Sequence, residues 1–315
     1  MPEGDTIYRT ATVLRRVLLG QRLTGFETTL RQVAMVSARQ PMVGRVVQDV
    51  TPRGKHLLIV FHDRDAGPAA DLILHTHLRM TGSWHVYHLG APWKKPERFA
   101  KVALRTAAAV VPCFSAPIVE LLTPQEVAHH PVLARLGPDA IADEFDAGEV
   151  RGRFRSRPDL SIGEGLLLQA AMAGVGNVFK SEALFLERVN PFLRIGDLSD
   201  ETLGRLVAQS RRLLLLNRRP GSRQTRATLD PQGRIWVYRR SGRPCYRCGT
   251  AIRMHRQGAD ARSTYFCPSC QAVTQGATRP SDTSTAGSRA RVAASPGGAD
   301  VPESRTPPTG DGDAP

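Results

Sequence analysis

The sequence is short of several things, and each shortage excludes something. No stretch reaches the roughly eighteen uncharged apolar residues of a membrane span, so a helix crossing a bilayer is excluded. No secretory leader is visible at the N terminus, which points away from an oxidising compartment and toward a cytoplasmic, nucleoid-associated protein with no membrane partner. No internal repeat appears, so a solenoid or propeller is not expected. Acidic side chains are scarce: 29 Asp and Glu face 43 Lys and Arg, for a formal charge of +14. With a pI near 10.4, that imbalance calls for a polyanionic partner. The last forty residues carry four arginines against five acids, so the basic excess lies in the body that precedes them.

What is present suffices for more than one domain. The chain has 315 residues, 41% of them hydrophobic. Ile7, Val13, Leu14, Val17 and Leu18 recur at helical spacing through residues 3–19, and Gly20 supplies a stop. From Arg22 to about Leu122 the texture turns to short β-rich runs: 46–50, 56–61, 71–74, 84–87 and 102–104. Thr51-Pro52-Arg53-Gly54-Lys55 reads as a hairpin turn within an antiparallel sandwich or barrel. Helical patterns follow at 124–130, 144–154, 165–173 and 178–187, with a further helix capped by Ser199 or Asp200 and ending near Asn217. Beyond Thr274 the Ser, Thr, Gly, Pro and Ala content reads as a disordered tail. The expected class is α+β and multidomain: a β-sandwich domain over 2–122, a helical domain over 123–235, a cysteine-bearing module over 236–273 and a tail over 274–315.

Three local patterns carry chemistry. The chain opens Met1-Pro2-Glu3-Gly4-Asp5-Thr6, and an initiator methionine ahead of proline is normally removed. Pro2 would then hold a free secondary amine, partly unprotonated near pH 7–8 and able to form an iminium with an electrophilic carbon. Glu3 stands beside it as a proton donor or acceptor. The plainer reading is a processing site followed by an acidic first helical turn. Next, Cys245 and Cys248 pair at C-x-x-C spacing, as do Cys267 and Cys270, with 18 residues between the pairs. Four thiolates at this spacing describe a zinc ribbon with one closed, structural Zn²⁺, against two disulfides as the alternative. Strands over 252–256 and 262–266 would then carry Arg262 near the ribbon tip, facing a phosphate or simply guarding a sheet edge. Cys113 reads as a buried apolar residue. Last, Gly174-Val175-Gly176-Asn177 opens a helix whose free N–H groups favour an anion, although a plain helix cap has the same letters.

In combination these residues resemble the formamidopyrimidine-DNA glycosylase and endonuclease VIII family, most of all its actinobacterial endonuclease VIII branch. The likeness spans residues 2–272. It joins the N-terminal Pro2-Glu3, Gly54-Lys55-His56 at a hairpin, the run from Gly174 to Phe185, and the four-cysteine finger. It implies a helix-two-turn-helix domain and a monomeric bifunctional DNA glycosylase and abasic-site lyase of base excision repair, acting on damaged double-stranded DNA. It further implies Pro2 as nucleophile, Glu3 as proton shuttle, and Lys55, Asn177 and Arg262 on the phosphates around an extruded nucleotide. Met80, in His77-Leu78-Arg79-Met80-Thr81-Gly82-Ser83, matches the loop that fills the void, with core packing as its rival role. His75 and His77 share one face of a strand, without further ligands to make a metal site.

The chain departs from the formamidopyrimidine pattern at three places. Thr6 stands where a second Glu is common, Pro112-Cys113-Phe114 in place of an Arg-Phe-Gly loop that probes the opposite base, and Leu168 in place of an Asp. The second departure disfavours selection for an opposite cytosine, and so oxidised pyrimidines are the expected substrates. The alternatives are a formamidopyrimidine or 8-oxoguanine glycosylase, and a catalytically silent DNA-binding protein.

Overall fold

A computed structural model describes residues 2–64 and 67–272; the expected tail lies outside the described residues. The chain starts in helix α1 (Gly4–Leu18), which buries Ile7, Ala11, Leu14 and Leu18 against a sheet. Val13, expected on that face, is half-exposed instead, because the buried stripe runs 7, 11, 14, 18 and Val13 falls beside it.

Two antiparallel sheets follow, as expected of a sandwich. One has the order β2 (Val46–Arg53), β3 (His56–His62), β4 (Leu72–His77), β9 (Ile118–Leu122). The other runs β1 (Gly25–Thr28), β7 (Ala100–Arg105), β8 (Ala109–Phe114), with β5 (Ser83–Trp84) and β6 (Tyr87–His88) both paired to β8. Leu57, Ile59 and Phe61 on β3 and Val111 and Cys113 on β8 point into one shared core with α1. Four elements went unread in the sequence: β1, β8, β9 and the helix at Arg31–Arg39. Helix α2 (Arg31–Arg39) contributes only Val33 as a fully buried residue, too weak an apolar stripe to stand out. Strand β8 is buried at every position and so lacks the alternation that marks a half-exposed strand.

Pro112-Cys113-Phe114 lie inside β8 and are buried, so they form no loop. The turn after them, Ser115-Ala116-Pro117, occupies the position between β8 and β9 and carries no arginine or aromatic residue. Cys113 is apolar filling, as read, and burial pushes its thiol pKa up.

The helical part packs around a second core. That core gathers α4 (Ala147–Arg155), α5 (Ile162–Gly165), α6 (Asn177–Leu186) and α7 (Asp200–Leu216), while α3 (Pro124–Ala128) packs through Val127 with Leu58 of β3 and Ile73 of β4. Thr123 and Glu126 form a reciprocal capping box on α3, and Ser199 caps α7. The helix expected over 165–173 is absent: α5 ends at Gly165 and turns follow. Tertiary pairing wins there, because the carbonyls of Gln169 and Ala173 accept from Gly137 and Ala140 of a neighbouring segment. Those carbonyls are therefore unavailable to a helical ladder.

The finger strands, β10 (Arg253–Gln257) and β11 (Arg262–Phe266), pair antiparallel. Their shared core includes Phe185 of α6, so the ribbon is docked on that helix. Glu182, fully buried one turn earlier, accepts from the backbone N–H groups of Trp236 (2.8 Å), Val237 (2.8 Å) and Tyr238 (2.9 Å) and from the Thr225 hydroxyl. One carboxylate thus fastens the whole connection between α7 and the finger. Glu182→Ala leaves those donors without an acceptor, and we expect a loss of about 3 kcal/mol, read calorimetrically as a Tm lower by roughly 5–10 °C.

Candidate active site

Glu3 lies at the start of α1 but does not cap it. Its fully buried carboxylate crosses to the N terminus of α6 and accepts from Gly176 N (3.0 Å), Val178 N (2.9 Å) and, longer, Phe179 N (3.4 Å). These are the orphan donors of a helix start, where a negative charge is favoured. Gly176 itself makes no side-chain cap, and a Cβ there would lie 2.4 Å from the Glu3 carboxyl carbon. Only glycine leaves room for that approach. The strands of chain meet a second time where Gly4 N donates to Gly174 O at 2.9 Å. Pro2 is thereby held half-buried beside the α6 entrance.

Lys55 comes to the same place on the two-residue turn between β2 and β3. Gly54 adopts φ +60°, and its N–H donates to Asp139 Oδ2 at 2.6 Å. Asp139 also accepts from Ile141 N, and burial raises its pKa against these two bonds. The half-buried Lys55 has its pKa lowered to about 8 by desolvation, with the negative charge of Glu3 opposing and the Arg262 cation adding to the drop.

Asn177 is buried at the first position of α6, and its Nδ2 donates to Ser263 Oγ at 3.3 Å. Lys180, one turn on, is fully buried and donates to Thr264 Oγ1 (2.7 Å) and Ser263 O (3.3 Å) of β11. Its pKa is also lowered to about 8, by burial first and against the pull of Glu3. These bonds fix β11 and hence Arg262, whose half-exposed guanidinium contacts Asp260 at 3.2 Å. Met80 is 61% exposed, which removes core packing as its role. Its turn is pinned by Gly82 N to Leu78 O (2.8 Å) and by Thr81 Oγ1 to Ser115 O (2.9 Å).

The structure therefore gathers Pro2, Glu3, Lys55, Asn177 and Arg262 around one centre, with Met80 on an exposed loop beyond the β4 end. Sequence reasoning missed Lys180, Asp139 and the Asp5–Arg223 pair. Arg223 grips buried Asp5 through two bonds of 3.0 and 2.6 Å and also reaches the Thr6 hydroxyl at 3.2 Å. Thr6 is thus a partner in that clamp. At the third departure, Leu168 packs into the helical core, and its neighbour Gln169 holds the glycine turn by donating to Val175 O and accepting from Gly174 N, each at 3.0 Å.

The four finger thiols converge. Cys248 lies 3.5 Å from Cys267 and from Cys270, and Cys245 lies 3.9 Å from Cys270, with all four sulfurs within 4.8 Å of one another. A disulfide needs about 2.05 Å. Zinc–sulfur bonds near 2.3 Å in a tetrahedron put sulfurs about 3.8 Å apart, so the set fits one zinc ion with no position left open. That zinc is structural: it closes the ribbon that carries Arg262.

Comparison with known proteins agrees with this geometry. Residues 1–117 match the formamidopyrimidine-DNA glycosylase N-terminal domain, 136–224 its H2TH domain, and 242–273 a zinc finger found in FPG and IleRS. A probable endonuclease 8 of Streptomyces coelicolor is 39% identical over 86% of this chain and 94% of its own. A DNA-(apurinic or apyrimidinic site) lyase of Mycolicibacterium smegmatis is 36% identical over 86% and 99%. Among solved structures, the Lactococcus lactis Fpg bound to DNA containing an oxidised pyrimidine is 25% identical, with a TM-score of 0.72 over 86% of this chain and 100% of that one. Among the described residues no helix is long and apolar enough to cross a membrane.

The Glu3–Gly176 approach is directly testable. Gly176→Ala should cost about 2 kcal/mol by overpacking, and much less in a Glu3→Ala background. Equal costs in the two backgrounds, measured by denaturant unfolding, would show that the carboxylate is not what occupies the space.

Proposed function

This chain belongs to the formamidopyrimidine-DNA glycosylase family, which its endonuclease 8 relatives share, and from that premise we infer how it acts: it is a DNA glycosylase and abasic-site lyase whose nucleophile is the Pro2 amine. The observation that carries this reading is the anchoring of Glu3 on α6, which holds the adjacent proline at a fixed point among Lys55, Lys180 and Arg262. A phosphate-binding protein needs neither a free N-terminal amine nor a buried carboxylate beside it.

In the proposed sequence an extruded nucleotide presents C1′ to Pro2. The amine attacks C1′, the glycosidic bond breaks, and the base leaves with a proton that Glu3 helps to move. The sugar ring then opens, C1′–O4′ breaking as O4′ takes a proton, and the iminium left on C1′ acidifies C2′. Loss of the 3′ phosphate by β-elimination and of the 5′ phosphate by δ-elimination then cuts the strand on both sides. Lys55, Asn177 and Arg262 take the flanking phosphates, and exposed Met80 enters the vacated stack. The zinc does no chemistry here beyond closing the finger. Oxidised pyrimidines are the proposed substrates, supported by the turn at Ser115-Ala116-Pro117, which has no side chain suited to probing an opposite cytosine. The enzyme is proposed to act as a monomer.

Borohydride trapping on abasic duplex DNA tests the mechanism. We expect a covalent adduct at Pro2, none from protein that retains Met1, and weak residual trapping from Pro2→Gly, which keeps an amine. Absence of any adduct from folded, zinc-loaded, Met1-processed protein would leave a silent DNA-binding protein. On matched duplexes, thymine glycol should be excised faster than 8-oxoguanine; the reverse order would assign the enzyme to oxidised purines.

The pKa of Lys55 gives a second test. Lowered to about 8, the amine is charged below that pH and loses its charge as pH rises through it. The salt dependence of duplex binding should therefore lose about one phosphate contact's worth of slope between pH 7 and pH 9. Lys55→Met should show the smaller slope at both pH values.

A further inference from the structure

Four side chains beside this site form a hydrogen-bonded row that the proposed chemistry does not use. His56 Nδ1 and His75 Nε2 are 2.8 Å apart, His75 Nδ1 and Glu120 Oε2 2.8 Å, and His130 Nε2 and Glu120 Oε2 3.2 Å. His56 opens β3 directly after Lys55, His75 lies on β4, Glu120 is its partner on β9, and His130 follows α3. The row therefore crosses the sheet at the end that carries both the Lys55 turn and the Met80 loop.

Three donor atoms converging on one point suggest a metal site, since His75, Glu120 and His130 lie within 4.8 Å of one another. The far side of His130 argues against it. Its Nδ1 accepts from Val132 N at 3.2 Å and Leu133 N at 3.1 Å. A neutral ring that accepts at Nδ1 carries its proton on Nε2, so that nitrogen donates to Glu120 and has no lone pair for a cation. With Glu120 accepting from both sides, His75 must carry its proton on Nδ1. Its Nε2 then accepts, and His56 supplies the proton from Nδ1. The two backbone N–H groups after α3 thus fix the tautomer of His130, and the Glu120 carboxylate, which can only accept, fixes those of His75 and of His56 next to Lys55.

We infer that His56, His75, Glu120 and His130 are a positioning relay, locking the Lys55 end of β3 to the Met80 end of β4 in one tautomeric state. His56 and His77 face each other across the two strands with ring centroids 4.7 Å apart. His77 in turn accepts at Nδ1 from Arg79 N (3.3 Å), at the base of the Met80 turn. The rings are held neutral: burial pushes His56 to about 3 and His77 to about 4 and lowers His75. Lys55 next to His56, with Arg79 beyond His77, makes a further cation there costly. The relay's part in catalysis rests on the reading of Pro2 and Lys55 given above; its hydrogen-bond order does not.

The test uses the full chain, labelled with ¹⁵N at histidine, and the variant Glu120→Gln, a partly exposed position. At pH 7 the wild-type two-bond ¹H–¹⁵N spectrum should show His56 and His75 protonated on Nδ1 and His130 on Nε2, unmoved by added Zn²⁺. Glu120→Gln should change the His75 and His56 patterns. It should also slow single-turnover borohydride trapping about tenfold, the scale of a small misplacement of a reacting group, with duplex affinity within about twofold of wild type. A wild-type His56 protonated on Nε2, an imidazolium in the row, zinc-induced shifts of His75 and His130, or wild-type trapping by Glu120→Gln would each overturn the relay. If wild-type protein yields no adduct, the Pro2 mechanism fails instead, and the tautomer spectrum alone decides the relay.

Discussion

The carboxylate of Glu3 on the first N–H groups of α6 is the interaction on which the site depends. It spends the side chain that would otherwise cap α1 on a helix more than 170 residues later in the chain. Charge-assisted bonds to a helix start are among the stronger polar contacts, and inside the protein no water competes for them. The consequences run outward. Gly176 must lack a side chain, Gly4 must lie against Gly174, and Pro2 must stop where the sandwich meets the helical core. Residues near a chain end ordinarily fray; here Pro2 is fixed by its neighbour Glu3.

The same carboxylate makes a strongly basic interior tolerable. Lys55 and Lys180 are each desolvated enough to bring their pKa values to about 8, and Glu3 is the main negative charge opposing that shift in both. Lys180 spends its donors on β11, which ties Arg262 to α6, while Asp5 neutralises Arg223 by a two-point contact. The positive charge of the chain is therefore sorted. Lys180 and Arg223 are satisfied within the protein and hold its parts together. Lys55 and Arg262 retain exposure toward the centre, where a phosphate would meet them. The closed thiolate set contributes from a distance, since β11 is one strand of the ribbon that zinc secures.

The sequence was most legible where function or local geometry constrains adjacent residues. Pro2-Glu3, Gly174-Val175-Gly176-Asn177 and the two C-x-x-C pairs are contiguous, so their chemistry could be read without knowing what lies across from them. The sandwich, α6 and α7 followed from periodicity and caps. What escaped notice depends on contacts distant in sequence. Lys180 looks like any helical lysine until β11 covers it, Asp139 like a loop acid until Gly54 donates to it, and Glu182 like a surface residue until three backbone N–H groups converge on it. The helix misread over 165–173 is the same lesson in reverse, because local propensity lost to carbonyls recruited by residues 137 and 140.

Three local costs of the fold fall near the site. Met80 exposes most of a large apolar side chain, Arg79 beside it adopts φ +43°, and Asn177 buries an Oδ1 with no hydrogen-bond partner among the described residues. Each is unfavourable for the free protein, by the exposure of apolar surface, by a left-handed backbone on a branchless but bulky cation, or by an unpaired acceptor. Glu182, Asp139 and Gln169, by contrast, use their polar atoms fully. Unfavourable features of these three kinds beside the residues gathered around Glu3 suit a surface shaped for a partner. The chemistry of that partner follows from the side chains these positions present. A thioether suits a gap in a base stack, and in the proposed reaction Lys55 and Arg262 take the phosphates while Pro2, held by Glu3, takes the sugar.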